Sequence, residues 1–152
     1  MRRRYLLSLV ALGVVLFVAI SIGLARVFGA NGAEQSAITS LVKAEAAGDQ
    51  QAMLARIQGC AQSPSCRARV AENAGNLRRP GAVTIIQLAP STGFSLGGMV
   101  GTARVAWRAG SSLPIVQCIR VRRSGDVLGG LTVQLLEISL RIKSDSSCPA
   151  HY

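Results

Sequence analysis

An α+β domain behind an N-terminal transmembrane helix is the fold class this sequence predicts, and three observations carry it. Residues 5–25 hold no charged side chain, residues 33–77 place apolar side chains at helical spacing, and the chain beyond Pro80 turns to Val-, Ile-, Leu- and Thr-rich runs. Helices first and strands after is the order expected when two or three helices pack on a curved four-stranded antiparallel sheet. The 152 residues, 49% of them hydrophobic and 16% charged, allow one ordinary domain with little to spare.

The apolar run YLLSLVALGVVLFVAISIGLA follows Arg2, Arg3 and Arg4 and precedes Arg26. At helical rise it extends about 30 Å, the thickness of a bilayer's hydrocarbon core. The excess of arginine before the run keeps the N-terminus cytoplasmic and sends the rest of the chain outward. The expected organisation is a basic cytoplasmic tail at 1–4, a single-pass anchor in the cell membrane at 5–28, and an extracytoplasmic domain at 29–152 with a C-terminal tail from 144. A cleaved signal peptide is the competing reading; such peptides carry shorter apolar regions and Phe28 is a poor residue for cleavage after Ala30, which leaves cleavage after Ala33 as the form it would take. Lipid attachment is excluded, because the first cysteine is Cys60.

Asn31, Gly32 and Ala33 read as a short flexible exit from the membrane. Ile38, Leu41 and Val42 then recur at helical spacing among Ala, Glu and Lys, which predicts a helix over 33–47. Gly48 supplies a stop and Asp49 an N-cap, so Met53, Leu54 and Ile57 belong to a second short helix ending near Gly59. Ser63 and Pro64 open a third, with Val70, Ala74 and Leu77 turned inward.

Strands are expected at 82–88, 99–108, 114–123 and 131–142, separated by the turn clusters PSTGFSLGG, GSSLP and SGDVLGG. In the second, Ala103, Val105 and Trp107 share one face and Thr102, Arg104 and Arg108 the other. In the third, Ile115, Ile119 and Val121 oppose Cys118, Arg120 and Arg122. The last run breaks parity, since Leu131, Val133 and Leu135 fall on one face and Leu136, Ile138, Leu140 and Ile142 on the other. A bulge near Leu135 and Leu136 repairs it; a strand buried on both faces is the alternative.

The segments KAEAAGDQQAMLARI, TARVAWRAG, PIVQCIRVRRSGDVLGGL and LLEISLRI give residues 33–143 a pattern that resembles the nuclear transport factor 2-like, cystatin-like superfamily, in the form of small membrane-anchored actinobacterial proteins. The resemblance implies helices packed on the concave side of a cone-shaped sheet. The chain departs from that pattern in lacking an early strand pair between the helices, and no functional residue carries over.

Cys60, Cys66, Cys118 and Cys148 all fall in the part expected to face an oxidising compartment, where an even count favours disulfides. Cys60 and Cys66 flank the Ser63–Pro64 turn, while Cys118 lies in the third strand and Cys148 in the tail running beside it. Pairing each with its neighbour stabilises by roughly 2 to 2.5 kcal/mol for the short loop and roughly 3.5 to 4 for the long one in a chain-entropy account. A redox pair or a metal site is the competing use, but there is no CxxC and the single His is His151.

That lone imidazole leaves triads, dyads and zinc sites almost without material. Enzymes of the resembled superfamily place acid and base inside the cone. Asp49, Asp126 and Asp145 fall in caps or turns here, and of the glutamates Glu45, Glu72 and Glu137 are the ones weighed for the role. Glu137, on a mainly apolar strand, is the candidate general base if buried; turned out by the bulge, it pairs instead with Arg120 or Arg122 across the strand. Gly97, Gly98 and Gly101 lack the following helix and Lys of a phosphate loop.

The sequence carries 17 Lys plus Arg against 7 Asp plus Glu. Arg104, Arg108, Arg120, Arg122 and Arg141 fall on outward positions of neighbouring strands, with Arg123 and Lys143 extending the set. The patch can face a polyanion, and an anionic lipid or wall polymer is nearer to hand than nucleic acid, because the sheet lacks exposed aromatics to stack bases. An ordinary solvated face is the simpler reading. The expectation is therefore an accessory or protein-interaction domain, without catalytic activity or cofactor, whose partner is another envelope protein or such an anionic surface. The alternative is a small-molecule or lipid binder, isomerase- or cyclase-like, with a pocket between helices and sheet.

Overall fold

A computed structural model describes the backbone of residues 2–90, 98–126 and 130–149, with side chains over 10–22, 32–90, 98–125 and 132–149. The expected turns at 91–97 and 127–129, His151 and Tyr152, and the side chains at both ends of the expected membrane span lie outside the described residues. The chain is α+β: helix α1 (Arg2–Ala47), α2 (Gln50–Arg56), a 3-10 turn (Cys60–Gln62) and α3 (Pro64–Asn76) precede β1 (Val83–Ala89), β2 (Met99–Ala109), β3 (Ile115–Asp126) and β4 (Gly130–Ile138). The four strands form one open antiparallel sheet in the order β1-β2-β3-β4.

Helix α1 corrects one expectation. Asn31, Gly32 and Ala33 do not loosen the chain, and the helix runs unbroken through them. A glycine inside a helix costs about 1 kcal/mol against alanine, too little to end a helix that Ala30, Ala33 and Glu34 support. Among the described residues no helix is long and apolar enough to cross a membrane. Apolar side chains from Val10 to Ile22 stand exposed along α1.

The helix ends follow their caps. Gly48 takes φ +73°, and a Cβ there would lie 3.2 Å from the Ala74 carbonyl oxygen, so α1 stops where α3 passes closely. Asp49 Oδ1 accepts from the Ala52 amide at 2.9 Å, opening α2, and Ser63 Oγ accepts from the Cys66 amide at 3.4 Å, opening α3 behind Pro64.

Ile38, Leu41, Val42, Met53, Ile57, Val70, Ala74 and Leu77 from the helices meet Ala103, Val105, Trp107, Ile115, Ile119 and Val121 from the sheet, and all are buried. The expected bulge is present. Arg120 pairs with Glu137 and Val121 with Leu135, leaving Leu136 as the extra residue. Parity flips there, so Leu135 and Ile138 both face the core. Strand β4 ends at Ile138 rather than continuing to 142, yet the chain stays beside β3, with the Ser139 amide donating to the Cys118 carbonyl and the Ile142 amide to that of Val116. The other side of β4 is covered at one point, where Ile57 bridges Leu135 and the Gln58 amide donates to the Leu135 carbonyl at 2.8 Å.

Candidate functional site

Gln117 lies on the core face of β3, between Ile115 and Ile119, and is completely buried. A buried primary amide needs partners for both its N–H groups and its oxygen. It finds all three. Gln117 Oε1 accepts from the Trp107 indole at 2.8 Å, and Nε2 donates to Glu45 Oε1 at 2.7 Å and to the Ser139 carbonyl at 3.2 Å. Asn73 of α3 donates to the same carbonyl at 3.0 Å, and Ser139 Oγ accepts from the Cys118 amide at 2.9 Å. One polar chain thus joins α1, α3, β2, β3 and the segment after β4.

Glu45 is its only acid. It is 0% exposed, and among the described residues its Oε2 has no hydrogen-bond partner. Burial pushes its carboxyl up from 4.5 to about 7, an effect that the Gln117 hydrogen bond partly opposes. A group poised there can take or release a proton near neutrality, as general acid–base catalysis requires. Its surroundings limit that use. Trp107, Gln117, Leu41 and Val42 are as fully buried as Glu45 itself. The described grooves open elsewhere: one of about 900 Å³ is lined by Lys43, Gly75, Arg78 and Pro80, and one of about 330 Å³ by Ala37, Arg56 and Val133.

Glu137 is therefore not the buried carboxylate. It is half exposed on the outer face, 3.5 Å from Arg120, the cross-strand pair that the bulge produces. Glu45 is among the glutamates the sequence offers, but nothing in helix α1 marks it over the others; Gln117 and Asn73 were missed, though parity on β3 and the helical spacing from Val70 to Ala74 are the signals that could have found them.

The basic residues divide. Arg108, Arg122 and Arg141 are exposed, as is Lys143. Arg120 is half-buried against Glu137. Arg104 lies half under the C-terminal tail, its guanidinium donating to the Ser144 carbonyl while its buried Nε has no partner among the described residues. Arg123 does not extend the outer set: it faces the core side and pairs with Glu34 of α1, both buried. It falls on the inward parity of Ile119 and Val121, a position whose charge the helix satisfies.

Both disulfides form as expected, Cys60 with Cys66 and Cys118 with Cys148, at Cα separations of 5.2 and 5.7 Å. The second straps the tail to the sheet's outer face beside Arg104, which opposes Cys118 in the register. Among the described residues no group of three His, Cys, Asp or Glu side chains comes together to hold a metal ion. Comparison with protein-family models, curated proteins and solved structures finds no match to this chain.

Proposed function

We propose that this chain is a membrane-anchored extracytoplasmic domain that serves as an accessory or protein-interaction module, of the nuclear transport factor 2-like type, without chemistry of its own. The observation that carries the reading is the filled space between α1 and the sheet. Where a ligand-binding cone would be hollow, Trp107, Leu41, Met53 and Ile119 are fully buried and the polar groups among them bond to one another. The anchor is supported by the charge-free run 5–25, by the arginines before it, and by a helix whose apolar side chains from Val10 to Ile22 no described part of the chain covers. The two disulfides fit an oxidising compartment. An envelope protein or an anionic surface is the partner this reading calls for, with Arg108, Arg122 and Arg141 as the exposed cations.

Extraction of membranes with alkaline carbonate, followed by N-terminal sequencing, tests the anchor. Retention of the intact chain is expected; release, or a mature chain beginning after residue 30, contradicts it. A second reading, a small-molecule binder of isomerase or cyclase type, is favoured by one observation, the buried carboxyl of Glu45 held near neutrality. Benzene, which enters hidden apolar cavities, separates the two. The Trp107 indole N–H resonance should not move in benzene-saturated buffer under the first reading and should shift under the second.

A further inference from the structure

The direction of α1 against the sheet fixes which end of the domain faces the bilayer. Glu34 meets Arg123 near the end of β3, and Glu45 meets Gln117 near its start. The helix rise from Glu34 to Glu45 is about 16 Å. The strand rise from Gln117 to Arg123 is about 20 Å, so the two elements run nearly alongside in opposite directions. Continued backwards, α1 leaves the domain past the end of β3 and the start of β2. From Glu34 to Phe28 it rises about 9 Å. The headgroup layer outside the hydrocarbon is roughly 5 to 8 Å deep on each side.

That end of the sheet carries a surface suited to what it meets. Met99 and Val100, at the start of β2, are 44% and 45% exposed, and Arg122, exposed, is the register partner of Val100. The adjacent cation, Arg123, is already paired with Glu34, which leaves Arg122 as the exposed guanidinium among the described residues of this edge. An arginine beside apolar side chains matches a layer with phosphates above and acyl chains below.

Resting on the anchor reading given above, we propose that the start of β2 and the end of β3 face the headgroup layer of the same bilayer that holds α1, with Arg122 reaching lipid phosphates alongside the last residues of β3 and Met99 and Val100 on the same membrane-facing end. The domain stands on the membrane by this edge, and the hairpin between β2 and β3, with Leu113 at 78% exposure, points away.

The test uses the full chain reconstituted in phosphatidylcholine–phosphatidylglycerol vesicles. All four native cysteines are in disulfides, so a single added thiol takes a fluorophore selectively. Val100→Cys and Leu113→Cys are labelled in turn, and a nitroxide on the lipid headgroup serves as quencher. The expected result is several-fold stronger quenching at position 100 than at 113, reduced when Arg122→Gln is added or the vesicles lack phosphatidylglycerol. Equal quenching at both positions in chain that resists carbonate overturns the docking and leaves the anchor standing. Chain that carbonate releases overturns both.

Discussion

Glu34 and Glu45 lie on one helix, both without solvent exposure, and they differ in what they meet on β3. Glu34 meets a guanidinium, Glu45 a neutral amide. The first pair balances charge within the interior; the second leaves a carboxylate whose ionisation burial opposes and one hydrogen bond only partly offsets. Burial alone therefore does not decide what a carboxylate does in this fold. The side chain across from it does, and positions 117 and 123 on the same face of the same strand set two different outcomes.

Removing the guanidinium's partner should have the largest effect. Glu34→Gln leaves Arg123 buried beside an amide, and breaking such a pair costs roughly 3 to 5 kcal/mol. Urea unfolding of the detergent-solubilised chain measures it, and Glu34→Leu combined with Arg123→Met should recover much of the loss.

The second prediction concerns pH. The folded carboxyl of Glu45 is raised above its unfolded value, so the folded state binds the proton more tightly. Stability is then full below about pH 4.5 and falls as pH rises toward 7. The loss across that window is roughly 3 kcal/mol. Glu45→Gln should flatten this dependence and leave the variant the more stable form at pH 8, whereas an unchanged slope would mean another group sets it.

Gln117→Leu should cost about 1 to 3 kcal/mol by stranding the Trp107 indole and Glu45. Because the Gln117 hydrogen bond lowers the Glu45 carboxyl's pKa, its loss should also move the upper end of the pH window higher. The smallest effect belongs to the outer face. Arg122→Gln should change stability by within about 0.5 kcal/mol, against the several lost at the neighbouring buried Arg123.

Much of this architecture is legible in the sequence. Asp49, Ser63 and Pro64 announced two helix starts because caps act locally, and the parity break at Leu135–Leu136 located the bulge because strand periodicity is strict. The disulfide partners followed from which elements run side by side. Other features depended on contacts remote in sequence. No local pattern tells which of the four glutamates meets Gln117 across the core, and Arg123 reads as an outer cation because its partner Glu34 lies 89 residues away in the sequence. The expected break at Asn31–Ala33 failed for a local reason, since one glycine among good helix formers is too weak to stop a helix already under way.

The Glu45 carboxyl can be followed directly, by selective carbon-13 labelling of glutamate and NMR titration, with Glu45→Gln assigning the resonance. The expected result is a midpoint near 7, with the Trp107 indole N–H shifting over the same pH range through Gln117. A midpoint in the ordinary glutamate range of about 4.3, with an indole that does not respond, would contradict the sealed surroundings described for this residue.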